Sequence, residues 1–158
     1  MLTMDDLEAM LPQVCAWAEA QERRILADGA PLTESQRRDA VAMGVAFPDR
    51  VRVLRVPSVP IPDSPELRAA SASLGFLPGG AAGMALGYGV FIQDDYWNVR
   101  SILAHELVHT SQYERLGGFA PFLKQYLTEC LTVGYTHSEL EREAVTKSAG
   151  VRREDAGE

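Results

Sequence analysis

Three side chains at fixed spacing carry the chemistry legible in this chain. They are His105, Glu106 and His109, within Ser101-Ile102-Leu103-Ala104-His105-Glu106-Leu107-Val108-His109-Thr110. No proline or glycine interrupts the stretch, which reads as helix. Residues four apart share a helix face, with Cβ atoms roughly 5–6 Å apart. His105 and His109 can therefore present a ring nitrogen each to one metal ion. Zinc takes imidazole nitrogen at about 2.0–2.1 Å and, in catalytic sites, three protein ligands plus a water. Glu106 sits about 100° further round the helix. From there it reaches toward the water rather than the metal, the position of the general base in a zinc hydrolase.

A bare match of this kind also arises on ordinary amphipathic helices. Here the two histidines are two of only three in the chain, and they lie among Leu103, Ala104, Leu107 and Val108. Unpaired imidazoles on so apolar a face are costly. The pattern predicts Zn2+ as cofactor, with His105 and His109 as ligands.

The third ligand must come from elsewhere. The longer metalloprotease signature, with a glycine and a third histidine soon after the motif, fails: Gln112 and Arg115 stand at those positions. Downstream candidates are His137, Glu139, Glu141 and Glu143. Glu143 has Lys147 at i+4, and Glu139 has Arg142 at i+3 and Glu143 at i+4, so both suit a solvated face. Glu141 has Ala144 and Val145 at i+3 and i+4 and borders the apolar side, where a carboxylate needs a partner. Small Ala144 also lets this helix approach the metal helix. Against ligation stands a capping box, Ser138 with Glu141 three residues on, in which Glu141 bonds only backbone. Tyr135 and His137, just before this helix, are candidates for stabilising the oxyanion, against plain readings as a structural tyrosine and a surface histidine.

The elements that must position these groups follow from punctuation and periodicity. A helix over 4–27 is capped by Thr3 and interrupted or kinked by Pro12. A second starts at the capping box Thr33-Glu34-Ser35-Gln36 and runs to about Met43. Residues 51–56 form a valine-rich strand, and four prolines between Pro57 and Pro65 make an extended connection. A short helix follows over 66–74. The glycine-rich run 78–89 reads equally as a mobile loop, a tight hairpin or a close approach of backbone to a ligand. Residues 88–93 form a strand beside the metal helix, either offering a free edge to an extended peptide or simply buried. The metal helix spans 97–116 and ends at Gly117-Gly118. A helix over 120–132 carries Phe122, Leu123, Tyr126, Leu127 and Leu131. The last helix spans 138–148, with a frayed polar end from Gly150. The fold expected is α+β and mostly helical, with a small sheet whose edge strand lies beside the His-Glu-x-x-His helix. A single domain over 1–158 holds N-terminal helices (1–45), strands and Gly/Pro-rich loops (46–96) and metal-site helices (97–149).

Bulk properties narrow the partners. Hydrophobic residues make up 46% of the 158 and charged residues 23%, which suits a globular domain. The net charge of −7, with no basic cluster to offset it, argues against nucleic acid and anionic membranes as partners. Cys15 and Cys130 are far apart and read as thiols rather than a disulfide framework. The acidic start, Met1 to Asp6, lacks a signal-peptide layout, so a cytoplasmic location is expected. An export route that needs no signal leaves no mark on a sequence.

The motif His105-Glu106-Leu107-Val108-His109, with a later helix reading Glu141-Arg142-Glu143-Ala144, resembles the gluzincin branch of zinc metallopeptidases. In that branch a Glu-x-x-Ala helix gives the third ligand, which maps onto Glu141. The fuller pattern over about 85–146, HELVHTSQYERLGG followed by GY and LEREA, is similar to a bacterial zincin-like family with a HELxHxxQ core, some members of which occur with contractile injection systems. One position departs from the pattern: Ser111 stands where a hydrophobic residue is usual. The resemblance implies hydrolysis of a peptide or protein substrate, with Zn2+ on His105, His109 and Glu141 and Glu106 as base. The alternative is a non-catalytic zincin-like zinc-binding module within a larger assembly.

Overall fold

A computed structural model describes residues 1–76 and 79–157. Six helices and four short strands make an α+β fold dominated by helix. Helix α1, Met4–Asp28, starts at a complete capping box between Thr3 and Asp6. It runs unbroken through Pro12; Pro12 and Glu8, whose backbone bond is lost, both lie on the exposed side. Helix α2, Glu34–Ala42, starts at the predicted capping box of Thr33 and Gln36. Two strands, β1 (Ala30–Pro31) and β2 (Arg52–Val56), flank it in sequence, and α3, Pro65–Ser73, follows.

The glycine-rich run resolves, outside Pro78, into a hairpin of β3 (Gly83–Leu86) and β4 (Gly89–Gln93). Its turn has two residues, Gly87 and Tyr88, and Gly87 takes a φ of 65°, which a first central position of this kind requires. Sequence reasoning missed β3 and the two-residue β1, since neither shows a run of β-branched residues.

The sheet order is β1-β2-β4-β3, with β2 and β4 parallel and the other pairs antiparallel. Of the two readings of residues 88–93, a free edge or a buried strand, the second holds: β4 is an inner strand, and the edge strand beside the His-Glu-x-x-His helix is β3. Alternation along β4 explains its uniform burial. Val90 and Ile92 enter one apolar cluster with Val53, Leu107, Val108 and Ala144. Phe91 enters the other, with Ile25, Leu86, Phe122 and Leu123.

The His-Glu-x-x-His helix, α4, spans Arg100–Leu116, three residues shorter at its start than predicted because Asp94–Tyr96 forms a separate 3-10 turn. Helix α5 covers Phe119–Thr132, and α6 covers Glu139–Gly157. The predicted stop of the last helix near residue 148 is thus too early: Ser148 and Val151 are buried and carry the helix onward. Helix α6 packs along α4 and brings Ala144, fully buried, against it. Cys15 and Cys130 are both free thiols. Among the described residues no helix is long and apolar enough to cross a membrane.

Candidate metal centre

One turn of α4 places His105 and His109 with ring centroids 5.1 Å apart. Both turn Nε2 toward α6. Glu141 meets them there, its Oε1 2.9 Å from His105 Nε2 and its Oε2 3.1 Å from His109 Nε2. Ligand atoms of the three residues all lie within 4.8 Å of one another. The donor set fits zinc: two imidazoles and a carboxylate are a known catalytic triplet. Ligands about 2.0–2.1 Å from a tetrahedral ion stand about 3.3 Å apart, within a few tenths of the carboxylate-imidazole separations observed.

The capping box at Ser138 and Glu141 forms only in part. Ser138 Oγ accepts the Glu141 N–H at 3.3 Å, so the N-cap forms. The Glu141 carboxylate does not return to the Ser138 backbone but points into the centre. The start of α6 is held instead by Glu129 of α5, whose Oε1 accepts from the Ser138 hydroxyl at 2.6 Å and from the Leu140 N–H at 3.1 Å. The reasoning that singled out Glu141 was half right about its neighbours: Ala144 is buried, but Val145 is exposed. Glu139 is exposed. Glu143 pairs with Lys147 at 3.3 Å as expected, and also accepts from Arg115 and Gln112.

Gln112 was passed over as a failed ligand position, yet it is fully buried and orients His109. Its Oε1 lies 2.8 Å from His109 Nδ1. Its amide nitrogen donates to the Leu140 carbonyl at 2.9 Å and to Glu143 Oε1 at 2.7 Å. Those two acceptors fix the amide, so its oxygen must face the ring. His109 then carries its proton on Nδ1 and leaves Nε2 directed at the centre, a common outer support of metal-binding histidines. The sequence signal was available: a glutamine three residues beyond a ligand, on a helix face too apolar to leave it unbonded.

Electrostatics follow from burial and these bonds. Burial opposes ionisation of Glu141, but hydrogen bonds from His105 and His109 outweigh it and hold the carboxyl well below its usual range. Burial alone would lower His109; the bond to Glu141 and the charge of Glu106 overcome it and raise the imidazole to about 9. Glu106 is buried beside the ligands without joining them. Desolvation raises its pKa, the two histidines oppose this, and the Ala85 backbone of β3 bonds the carboxylate. A carboxyl raised in this way suits a proton acceptor working near neutral pH.

Tyr126 of α5 donates to Glu141 Oε2 and sets its ring edge-on to His109, at 5.9 Å between centroids. Tyr135 lines the same space; burial first, then the carboxylates of Glu141 and Glu106, push its hydroxyl well above the usual range. The structure thus brings Tyr135 to the centre. It does not bring His137, which is exposed and lies outside both the ligand group and the cavity wall. Its exposure and its place outside the cavity wall remove His137 as an oxyanion candidate.

A cavity of about 570 Å³ opens onto Glu106, His109, Glu141 and Tyr135 and extends between α1, α3, α5 and the edge strand β3. Its wall needs glycine at position 83: a Cβ there would meet Glu106 Cγ at 3.0 Å and the Phe91 carbonyl oxygen at 3.1 Å. Comparison with family models, curated proteins and solved structures finds no match to this chain.

Proposed function

We propose that the protein is a zinc-dependent hydrolase of peptide-type bonds, a metallopeptidase of the zincin kind. The observation that supports this most is the meeting of Glu141 with His105 and His109 across two helices, with Glu106 beside them and not bound in. Zinc held by these three residues supplies a Lewis acid that makes water nucleophilic near neutral pH. Glu106 accepts the proton of the attacking water and delivers it to the departing amine. Its desolvated setting raises its affinity for that proton. Gln112 keeps His109 in the right tautomer, and Glu129 keeps the start of α6 in register with α4. Tyr135 lines the cavity beside the reacting groups and is the candidate to donate to the oxyanion.

Protein purified without added metal should carry close to one equivalent of zinc by elemental analysis. The Glu106→Gln variant should keep that zinc and lose turnover of a peptide library by about 100-fold or more. If the variant cleaves as fast as the wild type, Glu106 is not the base. Zinc with no cleavage of any substrate by the wild type would favour a non-catalytic zinc module instead.

A further inference from the structure

Resting on that reading of the centre, we propose that the substrate is an amide bearing a long hydrocarbon acyl chain, and that the cavity beside the centre holds the chain. The first observation is size. At roughly 30 Å³ per non-hydrogen atom, the share of a water molecule in the liquid, a cavity of about 570 Å³ holds about 19 such atoms. Even a tryptophan side chain fills only about half of that. An acyl chain of about 12 to 18 carbons fills it.

The second observation is what the wall offers. Among the described lining residues there is no lysine, arginine, aspartate, asparagine, glutamine or threonine. The only carboxylates are Glu106 and Glu141, both at the metal end. The hydroxyl of Ser71 already donates to the Leu67 carbonyl at 2.8 Å. Away from the metal end the surface comes from α1, with Met10 and Val14, and from α3, with Leu67, Ala70 and Leu74. Helix backbone is bonded internally, so these walls have no free peptide groups to give. A peptide threaded into the depth would leave its own N–H and C=O groups unmet there, at a cost a hydrocarbon does not incur. Non-helical backbone reaches the described wall along β3, one of whose groups is engaged by Glu106, and in the connections at Val59, Ile61, Pro62, Gly75, Phe76, Gly80 and Ala81.

The third observation is continuity: the apolar space and the reacting groups share one volume. With the chain in the cavity, the amide carbonyl at its head lies against Glu106, His109 and Glu141. Water oxygen bonds to the acyl carbon, the C–N bond breaks, and the proton taken by Glu106 goes to the departing nitrogen. The water's second proton leaves the new carboxyl group for the amine or the solvent, so the products are a fatty carboxylate, an amine and that proton.

The test uses the full chain loaded with zinc and cis-parinaric acid, a fluorescent long-chain fatty acid, as probe. It should bind one per protein. Saturated fatty acids of rising length should displace it, each methylene tightening binding about threefold to fourfold until the cavity is full, near 14 to 18 carbons. Ala70→Trp on α3 and, independently, Val14→Trp on α1 should each weaken binding at least tenfold, with zinc content confirming that the variant is folded. Glu106→Gln should bind the probe but fail to release nitroaniline from long-chain acyl p-nitroanilides. No saturable binding, or affinity independent of chain length, overturns the proposal even if short peptides are cleaved, and the hydrolase reading then survives alone. Chain-length-dependent binding without cleavage of any acyl anilide overturns the substrate assignment; the hydrolase reading falls with it only if the wild type also leaves the peptide library intact.

Discussion

Replacing Gln112 with methionine keeps the length and bulk of the side chain and deletes three hydrogen bonds. The His109 Nδ1–H, the Leu140 carbonyl and Glu143 Oε1 each lose a partner at 2.7–2.9 Å, in a position with no exposure to solvent. At about 0.5–1.5 kcal/mol net per bond the loss is about 3 kcal/mol, and partners left bare push it upward. In a chain of 158 residues that lowers the melting temperature by about 6–12 °C. The effect on metal is separate: an imidazole without its outer partner binds about 10- to 100-fold more weakly. Zinc affinity is measured by competition with a chromophoric chelator at fixed pH, and stability by thermal unfolding of chelator-treated protein. If Gln112→Met melts lower but binds zinc within twofold of wild type, Gln112 is a packing residue and does not orient His109. If neither quantity moves, the buried network described here does not exist.

Gly83→Ala should keep zinc and lower turnover about tenfold, because the new methyl group displaces Glu106 by a few tenths of an ångström; unchanged kcat would show that Glu106 has room to spare. Tyr135→Phe should lower kcat by about 100-fold at similar KM if its hydroxyl meets the oxyanion, and an equal change in KM alone would assign it to substrate binding. In chelated protein, the raised pKa of His109 contributes stability that is complete below its ordinary 6.5 and is lost as pH rises through about 9, so the melting temperature should fall across that window. Zinc must displace the same proton, so apparent zinc affinity should climb about tenfold per pH unit up to about pH 9, and a flat profile between pH 6 and 9 would contradict the His109–Glu141 pairing.

The grouping of His105, His109 and Glu141 was legible because helical spacing alone puts the two histidines on one face, and because Glu141 and Ala144 mark where the last helix turns inward. The capping pattern at Ser138 was legible too, but sequence could not say that Glu129, nine residues earlier, would anchor Ser138 and leave the Glu141 carboxylate free. Gln112 stands in the HELxHxxQ pattern, but its role was not legible, since its three partners lie 3, 28 and 31 residues away. Which strand forms the exposed edge was left open for a related reason. Val90, Phe91 and Ile92 announce a strand, but the lone Met-Ala-Leu of β3 beside glycines does not, and pairing order depends on contacts distant in sequence. His137 was drawn in by proximity to Glu141 along the chain; the turn before α6 sends it outward.

The corner where α5 hands over to α6 gives the centre a tuning peg. Glu129 grips Ser138 and Leu140, and Glu141 follows immediately, so any slackening at that corner is delivered as a change in the reach of one carboxylate. Loosening it leaves all three donors in place but lengthens the span between the helices, a bite that suits ions with longer bonds than zinc. If the centre holds a metal as proposed, drift at residues that never touch it would retune which cation is preferred, while the His-Glu-x-x-His stretch stays letter for letter the same.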